Sequence, residues 1–330
     1  MSDPVPAPLL PGLAGATVGL TGATGHLGGL LLRRLLADPQ TSKVVSVARR
    51  PLPAGVGDHR LRHVCADLRS EEARAALVGV DLLFHLGAQL WGRGGPEMAG
   101  VNVGGTTNVL AARPGAVVLA SSAAVYGAWP DNPLPLDERH PPRPNPECPY
   151  ASQKLQAERR CLDTAPTVVL RVGAVLGPHA DAAVRRSVAG YRLAVPAVRG
   201  VAQATQFLDE QDAVEALFRA GALVADPGRR TAVRGAVCNV APPGWLDAAG
   251  IAGVTGGRVV ALPRRLLVGG SELAHRLGLL PFGADRSVLV GGPLAVDPAR
   301  AAALLGWRSS RTSAEVLAQA VGRGGPAGRE

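Results

Sequence analysis

One short stretch constrains the fold more than any other. Thr21-Gly22-Ala23-Thr24-Gly25-His26-Leu27-Gly28 follows an apolar run, Ala16–Leu20, and opens a leucine-rich segment, Leu27–Leu36, that stops at Asp38-Pro39. An apolar run of that length reads as a strand, and leucines at helical spacing read as a helix. A glycine-punctuated turn between them is the start of a βαβ unit. Glycines let the backbone turn tightly and approach a ligand, while the free N–H groups and dipole at the helix start attract negative charge. Gly22, Thr24, Gly25, His26, Leu27 and Gly28 are therefore expected to cradle the pyrophosphate of a dinucleotide.

The alternation continues. Strand signals lie at Val44–Val47, Leu61–Cys65, Asp81–Leu86, Ala116–Ala120 and Thr167–Arg171, and helical signals at Val101–Ala112 and Ala151–Asp163. Gln206–Leu223 reads as a strand running into a helix, and Ala236–Val240 as a further strand. This pattern predicts an α/β fold, a Rossmann-type doubly wound parallel sheet. The rest of the chain after Gly177 is rich in Pro and Gly and weakly periodic, so a smaller, less regular C-terminal substrate lobe is expected. The expected division is a disordered leader (1–14), a dinucleotide-binding domain (15–177, with 206–240 returning to it), a substrate lobe (178–205 and 241–321) and a flexible tail (322–330). The leader carries Pro4, Pro6, Pro8 and Pro11 without a basic start, unlike a secretion signal.

The end of the second strand bears on the choice of dinucleotide. A carboxylate there would accept hydrogen bonds from the ribose 2′-OH of NAD. The chain has Ala48 at that place, followed by Arg49 and Arg50. A guanidinium suits a 2′-phosphate, and the missing acid removes a repulsion. NADP(H) is expected over NAD(H).

Tyr150-Ala151-Ser152-Gln153-Lys154 puts a tyrosine and a lysine one helical turn apart on one face. A lysine ammonium beside a phenol favours the phenolate and makes the tyrosine a usable acid–base group. The spacing carries weight because lysines are scarce: Lys43 and Lys154 are the only two among 35 basic residues, against three tyrosines. Ser121 and Ser122 end the fifth strand, where a hydroxyl can polarise a substrate carbonyl. Ser122, Tyr150 and Lys154 are the expected catalytic residues, with Ser122 and Tyr150 touching substrate beside Trp91 and Trp129 as pocket walls.

With these motifs in place the chain resembles the extended short-chain dehydrogenase/reductases, the NAD-dependent epimerase/dehydratase family. The likeness runs from about Ala16 to Trp307. It takes in the glycine turn, Asp67-Leu68, His85-Leu86-Gly87-Ala88, Asn102-Val103-Gly104-Gly105-Thr106, Ser-Ser-x-x-Val-Tyr-Gly, Tyr-x-x-x-Lys, Leu170-Arg171 with Gly177-Pro178, Gln206-Phe207 with Asp212, Asn239, and Leu305-Gly306-Trp307. The resemblance implies that Asp67, Leu68, Leu86, Gly87, Ala88, Asn102 and Ser121 line the cofactor, that Tyr150 and Lys154 also touch it, and that a homodimer forms through the helices Val101–Ala112 and Ala151–Asp163. Two departures matter. Dehydrating members follow the catalytic hydroxyl with Asp-Glu, where this chain has Ala123-Ala124. Nucleotide-sugar members tend to carry Asn three residues after the arginine of the Leu-Arg motif, where this chain has Ala174.

The expected function is an NADPH-dependent ketoreductase acting on a carbonyl of a non-nucleotide small molecule. A nucleotide-sugar epimerase or reductase is the alternative, and a non-catalytic NADP-binding sensor a second. The net charge of +9 is spread over scattered arginine pairs, and aromatics make up 3% of the chain, so no nucleic-acid partner is expected. No apolar run reaches the roughly 18 residues of a membrane span, so no membrane partner and a cytoplasmic place are expected. Four widely spaced cysteines read as free, buried thiols. His59, His63 and Cys65 lack a second ligand pair, so no metal is expected. The excess of arginine over lysine fits a GC-rich bacterial genome.

Overall fold

The computed structural model describes residues 13–90, 95–280 and 282–323. The leader up to residue 12, Trp91 and the tail from residue 324 lie outside the described residues. In chain order the first half runs β1 (Thr17–Thr21), α1 (His26–Ala37), β2 (Lys43–Ala48), β3 (Leu61–Cys65), α2 (Glu71–Ala76), β4 (Leu82–His85), α3 (Gly95–Ala99), a π-helical turn (Gly100–Gly104), α4 (Gly105–Leu110), β5 (Val117–Ser122), a 3-10 turn (Ala123–Tyr126), α5 (Pro149–Thr164) and β6 (Thr167–Val172). The second half adds β7 (Ala174–Leu176), α6 (Ala182–Gly190), β8 (Ala194–Val198), β9 (Phe207–Asp209), α7 (Glu210–Ala225), α8 (Pro227–Val233), β10 (Ala236–Val240), α9 (Ala248–Thr255), β11 (Arg258–Leu262), α10 (Arg264–Arg276), α11 (Ala284–Val290), α12 (Ala299–Leu305) and α13 (Ser313–Ala320).

Seven strands form one parallel sheet in the order β10-β6-β5-β4-β1-β2-β3. Strand side chains alternate between faces, and both faces are buried. Val118 joins Leu20, Phe84, the leucines of α1 and the apolar side of α7. Val117 and Leu119 join Val45, Val47, Leu83 and residues of α2, α4 and α5 on the other side. Strands buried on both faces explain why they read as unbroken apolar runs. The order reverses between β1 and β4, which opens a crevice at the carboxyl ends of those strands, where doubly wound sheets bind ligands.

The lobe is built from two short parallel pairs, β11 with β8 and β7 with β9, around Val188, Val195, Phe207, Ile251 and Leu317. Three details differ from the sequence reading. Leu13, placed in the leader, is buried in the main core, and Ala14 bridges Thr41. Leu305 and Trp307, placed in the lobe, belong to the main core, and the Trp307 indole donates to the Asp212 carbonyl at 2.9 Å. Cys148, Cys161 and Cys238 are buried thiols but Cys65 is exposed, because it sits on the outermost strand.

Candidate active site

The glycine turn is built by close backbone approach. Gly22 has φ +79°, donates to the Val47 carbonyl at 3.0 Å and accepts from the Gly25 N–H at 2.8 Å. A Cβ on Gly28 would stand 2.1 Å from the Gly22 oxygen, and one on Gly22 would stand 2.8 Å from the Gly87 nitrogen. Helix α1 starts on Gly25 with no side-chain cap. Its first N–H groups therefore face the crevice with the positive end of the helix dipole, which fits a pyrophosphate. Arg50 reaches over the turn, its Nη2 donating to the Thr24 carbonyl at 2.9 Å. Arg49 is exposed beside the buried Ala48. Asp67 is held by Arg69 at 2.8 and 2.9 Å, and that pairing pulls its carboxyl below the usual range. Leu68 fills the space above Gly87 and Gly105, with Leu86 and Ala88 half-buried beside it.

His26 is the first residue of α1, and its Nε2 lies 2.7 Å from Glu210 Oε2. His179 approaches the other oxygen of the same carboxylate at 2.6 Å. Burial alone would push the Glu210 carboxyl up, but the bonds from His179 and His26 outweigh it and hold it low.

Beneath the turn runs a chain of hydrogen bonds that the sequence did not announce. The Gly87 N–H donates to Thr21 Oγ1 at 3.0 Å, and Thr21 Oγ1 lies 2.7 Å from His85 Nδ1. His85 Nε2 lies 2.8 Å from Thr106 Oγ1, whose hydroxyl donates to the Asn102 carbonyl at 2.6 Å. Each hydroxyl has one proton, so the direction is fixed: Thr21 donates to Nδ1, and a neutral His85 donates from Nε2. Burial, with the Lys154 charge adding to it, holds His85 down to about 3. Asn102 sits in the π-helical turn. Its amide brackets the backbone of Gln89 at 2.7 and 2.9 Å and donates to Gln153 at 2.8 Å. The extended loop after β4 is thereby tied to α5. The helix expected over Val101–Ala112 contains this widened turn, a feature often found at functional sites.

Helix α5 begins with Pro149 at its first turn and carries Tyr150 and, one turn on, Lys154. The Lys154 Nζ donates to the Ala120 carbonyl at 2.8 Å, two residues before Ser122, and stands 5.8 Å from the centre of the Tyr150 ring. The three expected catalytic residues are thus gathered where β5 ends and α5 begins. Ser122 caps the 3-10 turn, its Oγ accepting from the Ala124 N–H at 3.2 Å. Burial pushes Lys154 down to about 8 and Tyr150 up to about 12. The cation that offsets the burial of Tyr150 is Arg286 of α11, 6.0 Å from the ring centre. That differs from the expectation that Lys154 depresses the tyrosine, since its ammonium is directed at the Ala120 carbonyl.

Ser121 donates to Glu158. Arg171 meets Glu158 at 3.1 and 2.8 Å and donates to the Tyr126 hydroxyl at 2.9 Å. Tyr126 in turn donates to Asn239 at 3.0 Å. This buried strut fixes β5, α5, β6 and β10 together and accounts for Arg171 and Asn239 without substrate. Trp129 is half-buried; its indole donates to the Arg143 carbonyl, and the Arg143 guanidinium covers the ring at 4.8 Å.

A dinucleotide turn, an uncapped helix start and a Ser/Tyr/Lys grouping at one strand end are the parts of a nicotinamide-dependent redox site. The profile of the NAD dependent epimerase/dehydratase family matches residues 18–231. The chain belongs to that family. Members are oxidoreductase-type enzymes that use a nicotinamide dinucleotide. Among curated members, an uncharacterized protein of Mycobacterium tuberculosis is 31% identical over 222 residues, 61% of this chain and 58% of that protein. The match thus spans less than two thirds of the mycobacterial protein. An uncharacterized protein of Sinorhizobium fredii is 26% identical over 311 residues, 90% of this chain and 76% of that protein. Among solved structures, MoeE5 in complex with UDP-glucose and NAD is 26% identical, with a TM-score of 0.68 over 93% of this chain and 98% of that one. No helix among the described residues is long and apolar enough to cross a membrane.

Proposed function

We propose that the chain is an NADPH-dependent reductase that transfers hydride to a carbonyl carbon of a non-nucleotide, fairly apolar small molecule. The observation that carries this reading is the pair after Ser122. Ala123 and Ala124 are both buried, at 7% exposure each, where dehydrating members of the family carry an acid and a base. Nothing at that position can move the protons of water elimination, which supports plain hydride transfer over dehydration.

The reduced nicotinamide, when bound, supplies the hydride. Ser122 hydrogen-bonds the carbonyl oxygen and polarises it, and the Tyr150 hydroxyl gives its proton to the oxygen as charge develops there. Burial keeps Tyr150 a neutral phenol at neutral pH, the state that a proton donor needs. Lys154, with a charge retained below about pH 8, backs the helix face behind it. Arg49 and Arg50, with no acid at Ala48, support NADPH. A cytoplasmic homodimer through α4 and α5 completes the proposal.

A nucleotide-sugar epimerase or reductase is the second reading, favoured by the likeness to MoeE5. NADPH oxidation with a panel of ketones, aldehydes and UDP-sugars separates the two. Turnover of ketones without any 4-keto-6-deoxy or epimerised sugar by mass spectrometry is expected. Sugar conversion with no ketone reduction would replace the first reading with the second.

A further inference from the structure

Glu210 is an acid that the proposed chemistry does not use, yet its side chain is only 3% exposed. Its Oε2 meets His26 Nε2 at 2.7 Å and accepts from the His179 backbone N–H at 3.2 Å, while Oε1 meets His179 Nδ1 at 2.6 Å. Gly177 presses on the carboxylate from another side, since a Cβ there would stand 2.1 Å from Glu210 Cδ. The place of this clamp follows from two helices that run side by side. His26 opens α1 and Glu210 opens α7. Further along the same pair, Arg34 meets Glu215 at 3.5 Å and covers the Phe218 ring at 3.7 Å. The starts of both helices therefore lie together at the glycine turn.

Charge decides what the clamp does. A carboxylate between two neutral imidazoles carries one negative charge, beside a turn that must receive a diphosphate. A proton on either ring cancels it. Histidine is the side chain that changes charge near neutral pH, and both the carboxylate and an incoming anion favour its protonated form. The other charged groups on the elements that meet here are directed elsewhere. Arg50 donates to the Thr24 carbonyl at 2.9 Å, and Arg185 of α6 to the Pro178 carbonyl at 3.2 Å. Asp181 accepts from the Ala183 N–H at 2.7 Å, and Asp209 pairs with Arg311 at 2.7 Å. Asp212 accepts from the Ser309 hydroxyl at 2.9 Å and the Ser310 N–H at 2.8 Å.

We infer that Glu210, acting through His26 and His179, makes dinucleotide binding proton-linked: the cluster takes up a proton as a pyrophosphate enters the glycine turn. Glu210 is thus a positioning residue of the cofactor site. It holds two imidazoles in place and makes their charge the condition for tight binding. The sign follows from reciprocity. A ligand that prefers the protonated cluster raises proton binding by the same factor, so affinity falls as pH rises. This rests on the glycine turn being the pyrophosphate cradle, and not on NADPH preference or on a ketone as substrate.

The test is calorimetric titration of the full chain with NADPH, or with NADH if that binds more tightly, from about pH 6 to about pH 8. Buffers of different ionisation enthalpy let one experiment read affinity and proton uptake. The wild type should take up about half a proton or more and lose about tenfold in affinity across that range. Glu210→Gln removes the negative charge and keeps an acceptor, so its affinity should be nearly level and, near pH 8, tighter than the wild type's. His26→Gln combined with His179→Gln keeps donors for the carboxylate but fixes its charge, so affinity should be nearly level and weak. The ligand's own phosphates contribute alike in all three, so the differences belong to the cluster. Should Glu210→Gln fail to fold, the double variant decides alone, since it must lose the pH slope. A wild type whose slope and uptake match the double variant's overturns the inference and leaves the cradle standing. Glu210→Gln folded but weak at every pH also overturns it, because the clamp would then only support the fold. A chain that binds neither dinucleotide overturns the cradle and the linkage with it.

Discussion

The guanidinium of Arg286 stands over the ring of Tyr150, 6.0 Å from its centre, so helix α11 brings a positive charge to the tyrosine proposed as proton donor. Tyr150 is pushed up to about 12 by burial, and Arg286 opposes that rise by favouring the phenolate. Alcohol oxidation, the reverse reaction, needs the phenolate. In Arg286→Leu the rising limb of the oxidation rate, on which the rate grows with pH, should therefore move to higher pH, by about one unit for one lost charge at this range. Arg286→Lys should keep the limb near its wild-type position. A limb that stays put in Arg286→Leu would show that the charge is screened from the phenol.

Tyr150→Phe removes the acidic hydroxyl and little else. Turnover should fall about 100-fold or more, the scale of a general acid, while cofactor affinity barely moves. Lys154→Met should damage both, because Lys154 Nζ also holds the Ala120 carbonyl at the strand end that carries Ser122. Lys154→Arg should not rescue turnover, since the fork is bulkier and donates in fixed directions. Ser122→Ala should be milder. NADPH oxidation with an accepted ketone, paired with cofactor titration, reads all four.

Cofactor choice rests on Ala48, Arg49 and Arg50. NADPH should bind more tightly than NADH by roughly tenfold to a hundredfold, the worth of one charge-assisted contact. Arg49→Ala and Arg50→Ala together should bring the two affinities together. Fluorescence titration measures both, and equal wild-type affinities would remove the argument.

How much of this was legible in the sequence follows from where each interaction lies along the chain. The sheet was legible because its strands are buried on both faces and read as apolar runs, and the glycine turn and the Tyr150–Lys154 spacing were visible because each is a short local pattern. Arg286 over Tyr150, Glu210 between His26 and His179, and His85 between Thr21 and Thr106 join residues far apart in sequence, so no local pattern announces them. The lobe helices were missed for a different reason. In α10 the periodic leucines face out and two exposed glycines, Gly269 and Gly270, interrupt the helix, so the helical signal is weak and points the wrong way.

Gly28→Ala should be severe for a reason of distance alone. The added Cβ would sit 2.1 Å from the Gly22 oxygen, so the turn must open and the N–H groups of α1 must leave their aim. A loss of cofactor affinity beyond about tenfold, with a lowered melting temperature, is expected for overpacking backbone against backbone. Gly57→Ala, where nothing lies within 4 Å of an added Cβ, is the control and should change neither. If Gly28→Ala bound NADPH like the wild type, the turn would not be the pyrophosphate cradle.

His85 predicts how the fold fails in acid. Its ring is buried and neutral, donating to Thr106 and accepting from Thr21, so a proton on Nδ1 would break the bond to Thr21 and leave a charge in the core. Burial holds its value down to about 3 from the ordinary 6.5. The sign follows from proton counting: between those values the unfolded chain binds the proton and the folded chain does not. Stability from this group is therefore fully present above about pH 6.5 and is lost as pH falls toward 3, with a slope of up to about 1.4 kcal/mol per pH unit. His85→Gln keeps one acceptor for Thr21 and one donor for Thr106 but does not titrate. Urea unfolding at steps from pH 7 to pH 4 should show a shallower acid slope for His85→Gln than for the wild type, even if its stability at pH 7 is lower. Parallel slopes would mean that other groups govern acid unfolding and that the ring is not held neutral by this chain of hydrogen bonds.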